Sequence, residues 1–187
     1  AAALVGLWYV YANYYEEIYD FLGVRIQYTM SIEEAFLSVT VSDEPHEWRE
    51  GLSGTPRLED QTGMLFVFDA EDRYRMWMKG MNYASDIFWI DNDLKVVHIE
   101  KNVTPDTYPK VFSTPEPARF VLEVPAFTAE TFKLQVGDTA FIPVEVLPED
   151  LQPVQVWYNS RASDDRLSLW LGRKVRTHPS TTFGNTC

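Results

Sequence analysis

The run from Gly63 through Met64, Leu65, Phe66 and Val67 to Phe68 constrains this chain most. It is apolar without alternation, and it ends at Asp69-Ala70-Glu71-Asp72. Such a run is too short for a typical helix and rich in strand-favouring residues, so it predicts a β-strand buried on both faces. A strand of that kind needs partners along both edges and an apolar layer above and below. The residues that follow offer both. Arg73–Lys79 alternates, with Tyr74, Met76 and Met78 on one face and Arg73, Arg75, Trp77 and Lys79 on the other. After a loop at Gly80–Ser85, Asp86–Ile90 reads as another strand. Asp91-Asn92-Asp93 then turns the chain into Leu94–Glu100, giving a β-hairpin. Its second strand sets Leu94, Val96, His98 and Glu100 against Lys95, Val97 and Ile99.

Upstream, Ala35–Val41 carries Phe36, Leu37, Val39 and Val41 in a strand-favouring segment. Asp43–Leu52 predicts one short helix, with Pro45 suited to its first turn and Gly51 to its C-terminal cap. Trp48 and Leu52 are four apart and share its buried face. Ser53–Thr62 is a polar loop. Downstream, Thr104–Pro117 holds Pro105, Pro109, Pro115 and Pro117 and predicts an ordered surface loop. Arg119–Val124 is a strand with Phe120, Leu122 and Val124 on one face. Phe132–Leu134 and Thr139–Ile142, around a turn at Gly137-Asp138, close the regular region. Glu145–Gln155 resembles a linker, Val154–Tyr158 a further strand and Arg166–Val175 a short amphipathic helix. The last ten residues have the composition of a disordered tail. The fold class expected is α+β, mainly β: a compact antiparallel sheet or small barrel-like domain with one short helix near its start, preceded by an N-terminal hydrophobic helix. Three segments follow: 1–30 as hydrophobic helix and linker, 31–143 as the domain, and 144–187 as a C-terminal extension.

Ala1–Ala12 contains no charge. It matches the length of a signal-peptide apolar core, or of half a transmembrane helix, which needs about 20 residues in full. Trp8, Tyr9, Tyr11, Tyr14 and Tyr15 crowd its end, as rings do at a lipid–water boundary. Acids follow at Glu16, Glu17 and Asp20, with no Lys or Arg before Arg25. The segment is expected to act as a membrane anchor or export leader, so the domain is placed outside the cytoplasm; an ordinary buried helix is the alternative. Net charge is −12, which disfavours nucleic acid as a partner. The basic residues Arg161, Arg166, Arg173, Lys174 and Arg176 form a solvated tail or touch an acidic lipid or partner. Cys187 is the one cysteine, so no internal disulfide forms and no Cys pair exists for a zinc site.

Several spaced segments, in order, carry a family resemblance. They are GMLFVF at Gly63–Phe68, RMWMKGMNYASDIFWID at Arg75–Asp91, KVVHIEKNVTP at Lys95–Pro105, Tyr108, PARFVLEVPA at Pro117–Ala126, and VGD at Val136–Asp138. Over about residues 35–143 the chain resembles the domain of unknown function 192 family. That resemblance implies a compact, mainly β domain with a helix near its start, often behind an export leader or membrane segment, and no established activity. Gly80 stands where the family has Asn, Ala84-Ser85 where it has Pro-Leu, Leu94 near the usual hairpin Gly, and Ala126-Phe127-Thr128-Ala129 in place of its glycine-bearing tract.

Candidate site residues lie around the central strands. On a strand, Arg75 and Lys79 flank Trp77 on one face. An open face makes a platform for an anionic or sugar-like ligand; a closed one makes Trp77 core, with the cations reaching to water. Lys79 and Asp86 flank the Gly80–Ser85 loop and are expected to pair, either as a structural ion pair or as a tuned acceptor. A shallow groove would be lined by Trp77, Trp89 and Tyr108. The ligand-binding set is therefore Arg75, Trp77, Lys79, Asp86 and Tyr108. The function expected is binding of a small ligand or partner by an extracytoplasmic or membrane-tethered domain. The alternative is a carbohydrate-active or other hydrolytic enzyme using Asp86 and Glu100, whose carboxylates would face each other across a cleft. Asp91-Asn92-Asp93 reads as turn chemistry, because the ligand series of a calcium loop is missing. His46, His98 and His178 are scattered. No metal, cofactor or catalytic residue is assigned. Asn102-Val103-Thr104 fits a glycosylation acceptor.

Overall fold

The structure, a computed structural model, describes residues 26–152. The chain divides after Leu151 into two units, and the second, Gln152–Cys187, falls outside the described residues but for Gln152. The expected N-terminal hydrophobic helix, the strand at Val154–Tyr158, the helix at Arg166–Val175 and the C-terminal tail also lie outside them.

The described unit is mainly β. In chain order it contains β1 (Gln27–Ile32), β2 (Ala35–Ser42), α1 (Pro45–Glu50), β3 (Thr62–Asp72), β4 (Arg75–Trp77), β5 (Ser85–Ile90), β6 (Val96–Val103), β7 (Val111–Ser113), β8 (Ala118–Pro125), α2 (Thr128–Thr131) and β9 (Ala140–Phe141). Single 3-10 turns sit at Pro105–Thr107 and Glu149–Leu151. Seven strands form one sheet in the order β6-β5-β8-β3-β2-β1-β9, while β4 and β7 form a separate ribbon.

The sheet curls into a half-barrel. Its two ends meet where Ala140 donates to the Leu94 carbonyl at 2.8 Å, Gly137 to the Val96 carbonyl at 2.8 Å, and Val96 back to the Asp138 carbonyl at 2.9 Å. The pairing is not wholly antiparallel. β2 and β3 run parallel, with Val39 opposite Gly63 and Val41 opposite Leu65. A parallel pair needs a crossover, and α1 with the loop to Thr62 supplies it.

The curl places one hydrophobic core inside and one outside. Leu65, Val67, Phe88, Ile90, Phe120, Leu122 and Val124 point in, joined by Met30, Leu37 and Val39 from the flanking strands. Met64, Phe66, Phe68, Ile87, Trp89 and Val121 point out, under Leu52, Met78, Met81 and Phe112. The strand from Gly63 to Phe68 is thus buried on both faces.

Several local expectations are corrected. β1 begins at Gln27, inside the stretch read as linker. Phe132–Leu134 is not a strand; it follows α2 as turn, and Leu134 closes the inner core. The proline loop contains β7, paired with β4 through Met76 and Phe112. On β6 the register slips between Trp89–His98 and Ile90–Val96. Val96 and Ile99 therefore both join the inner core, whereas strict alternation separates them. Glu145–Leu151 is not a linker either. Val146 is buried, Leu147 and Leu151 pack on the inner core, and Asp150 pairs with Arg119 at 2.9 Å.

Candidate functional site

The outer face of the sheet carries a cleft of about 360 Å³ between α1 and the β4 ribbon. α1 exists because Glu47 accepts the backbone N–H groups of Asp43 at 3.1 Å and Glu44 at 3.4 Å, while Pro45 fills the first turn. Gly51 then stops it at φ 49°, a left-handed conformation that suits glycine. The helix holds Trp48 over the sheet, with its indole N–H donating to the Ser42 carbonyl at 3.1 Å.

Rings line the cleft. Phe68 and Tyr74 stack with centroids 3.5 Å apart, and Trp48 tilts against Phe68 at 5.1 Å. Tyr74 is fixed by donating its hydroxyl to the Ala70 carbonyl at 2.8 Å. Burial first, and the Asp72 charge next, push its phenol above the ordinary value of 10.0. Arg49, Glu50 and Arg75 are exposed at the rim, and Trp77 beside them is 45% exposed.

At the floor lies Glu123 on β8, 3% exposed. Its strand neighbours are Met64 on β3 and Ile87 on β5, both apolar and outward-facing. Burial alone pushes its carboxyl from 4.5 to about 7. No hydrogen-bond donor reaches that carboxyl among the described residues. Tyr83 is close enough to feel its charge. That phenol is raised chiefly by burial, lowered by its 2.9 Å hydrogen bond with Thr55, and raised by Glu123.

The five residues expected at a site separate. Arg75 and Trp77 meet at the rim of the cleft, and Trp77 is open rather than core. Lys79 follows β4 in a turn, exposed and outside the cleft lining; its carbonyl accepts the Ser53 hydroxyl at 2.7 Å. Tyr108 is 48% exposed beside β7 and does not line the cleft. Asp86 is wholly buried. Its two oxygens accept the backbone N–H groups of Asn102 at 2.7 Å and Ala129 at 2.8 Å. It thereby caps α2, whose residues lack a cap from their own Phe127. No ion pair joins Asp86 to Lys79.

Trp89 is no groove residue. It is fully buried, and its indole N–H donates to the Tyr74 carbonyl at 2.9 Å. Asp86 and Glu100 also lie on different faces. Asp86 pairs in register with Val124 of the inner core, Glu100 with Ile87 of the outer core. Glu100 meets His98 at 3.3 Å instead. Among the described residues no group of three or more His, Cys, Asp or Glu is placed to hold a metal ion.

Glu123 was absent from the residues expected at the site. The signal was present: alternation puts Phe120, Leu122 and Val124 on one face, which leaves Glu123 on the other with Val121. What alternation does not show is that this second face is covered too.

Comparison with known proteins agrees with the fold. Two solved structures of the same architecture are similar. One is a protein from Sinorhizobium meliloti 1021 described as a candidate transcription regulator, at TM-score 0.59 and 25% identity, covering 62% of this chain and 93% of that one. The other, a protein of unknown function from Novosphingobium aromaticivorans DSM 12444, has TM-score 0.59 and 21% identity, covering 62% of this chain and 85% of that one. No curated protein matches. The model of the domain of unknown function 192 family (DUF192), described as an uncharacterized ACR, matches residues 27–142, from the first residue of β1 to just past β9. The chain belongs to that family.

Proposed function

We propose that this domain binds a small ligand in the cleft between α1 and the β4 ribbon. The observation that carries the reading is Trp77, 45% exposed beside Arg75 at the rim of a preformed, ring-lined cleft. Small-molecule sites are concave and mostly apolar, with a few convergent polar groups. The indole face and the guanidinium suit stacking against a planar or sugar-like body with an anionic edge. The domain is tethered to or exported across a membrane by the N-terminal segment 1–30, with Ala1–Ala12 as its apolar core; that part of the proposal rests on their sequence. Among the described residues no helix is long and apolar enough to cross a membrane.

Trp77→Ala tests the site. Trp77 is largely outside the core, so the variant keeps the melting temperature of the parent within a few degrees. A thermal-shift screen of sugars, aromatic anions and amines should raise the parent's midpoint, since a ligand at 100 times its Kd adds about 2.7 kcal/mol. The same compounds should shift the variant much less. Equal shifts in both proteins sink the proposal. Tethering is tested separately: the product should pellet with membranes, and a product in the soluble fraction that retains residues 1–12 rejects the anchor.

A further inference from the structure

Resting on that reading, we propose that the cleft selects organic amines: ligands with an aromatic or apolar body whose protonated amine is held at the floor by Glu123. A buried carboxylate needs a partner, because leaving one unpaired in an apolar setting is costly. Glu123 is 3% exposed, sits between Met64 and Ile87, and receives no hydrogen bond among the described residues. Its exposure is into the cleft. The missing partner therefore comes from whatever fills that space.

The surroundings choose the charge of the partner. Trp48, Phe66, Phe68 and Tyr74 line the cleft with aromatic rings, and aromatic π-systems attract cations. An ammonium at the floor gains the aromatic lining and the carboxylate together, whereas a hydroxyl gains one hydrogen bond. Arg49 and Arg75 do not oppose this, because both are exposed at the rim; they receive an anionic or sugar-like edge at the ligand's other end. The net charge of −12 favours the approach of a cation.

The geometry carries a proton linkage. The ammonium pairs with ionised Glu123, and burial holds that carboxyl at about 7. Amine binding thus expels a proton below about pH 7 and weakens as pH falls. The groups facing Glu123 from neighbouring elements are Tyr83 from the loop after β4, Tyr74 before β4, and the rim charges Arg49, Glu50 and Arg75. Burial raises both phenols, so they remain neutral through this range.

The test is isothermal titration of the full-length chain with phenethylamine and its neutral isostere 2-phenylethanol. At about pH 8 the amine should bind at least roughly tenfold tighter, and that advantage should shrink several-fold at about pH 6. In Glu123→Gln, an isosteric change that removes a buried charge, the two probes should bind within about twofold of each other. The proposal is overturned if the alcohol matches the amine in the parent at the higher pH, or if the preference survives in Glu123→Gln. Alcohol binding equal to amine binding, with both lost in Trp77→Ala, rejects the amine and keeps the cleft as a binding site. No binding of either probe to the parent, together with no shift by any screened compound, rejects both.

Discussion

Glu123 shows how one residue couples site and stability. Its folded carboxyl titrates at about 7, above the ordinary 4.5. The native state therefore holds a proton more tightly than the unfolded state. The stability contributed by Glu123 is fully present below about pH 4.5, falls as pH rises to about 7, and is flat beyond. At about 1.4 kcal/mol per pH unit, the loss approaches roughly 3 kcal/mol. Glu123→Gln should abolish this dependence and be the more stable protein at about pH 8 by up to that amount, with little difference at about pH 4.5. Urea unfolding at both values reads it directly; an equal gap between the proteins at both would contradict the assignment. Gly80 is a second informative residue. It stands where the family resemblance places Asn, at φ 69°. Glycine and asparagine are the residues that adopt this left-handed conformation most readily. The exchange preserves a backbone turn, and the position does not line the cleft.

At the scale of elements, local pattern was legible where it repeats within one strand. β2, the buried run of β3, the β5–β6 hairpin, the inner face of β8 and the helix α1 all follow from spacing and caps. β1 was not, because its hairpin with β2 turns through Glu33-Glu34 rather than a glycine or asparagine pair. Glu33 adopts φ 48° there, and its carboxylate accepts the N–H of Thr139, 106 positions later, at 2.8 Å. β7 was hidden because Pro109 and Pro115 flank a strand of three residues, paired only to β4. α2 was hidden because its cap, Asp86, lies on another strand. The cleft was half legible: Arg75 and Trp77 share a face by simple alternation, whereas Glu123 acquires its role from the layer that covers β8. Asp86 misled for the same reason, since the two amides that occupy it are tertiary neighbours. Strand packing also makes a prediction at Gly63. A Cβ there would stand 2.7 Å from the Glu123 carbonyl and 2.9 Å from Val124 Cγ1. Gly63→Ala should push β3 from β8 and cost about 1–3 kcal/mol, with loosened ligand binding because Glu123 moves with its strand. An unchanged denaturation midpoint would mean that the strands separate more easily than this contact implies.

For the molecule as a whole, the cooperative unit is wider than its most recognisable motifs. β1 contributes Met30 and Ile32 to the inner core, and Val146, Leu147 and Leu151 pack on that core from beyond β9. Arg119, only 6% exposed at its side chain, depends on Asp150 for its ion pair. A fragment of residues 26–152 should melt in one sharp transition by circular dichroism. A fragment of 31–143 lacks most of β1, the apolar plug and the Asp150 carboxylate, and should show a broad transition or none. Comparable melts for the two fragments would show that these segments are accessory.

The meeting of the two sheet ends also bears on how the protein is made. β1 is synthesised before its neighbour β9, which follows more than a hundred residues later, and the Glu33–Thr139 contact spans 106 positions. Until Ala140 and Phe141 leave the ribosome, β1 presents an open edge, which invites strand addition from another chain. Contacts so distant in sequence also slow folding. The nascent chain is therefore most exposed to misassembly at this edge just before β9 arrives, and that strand is only two residues long.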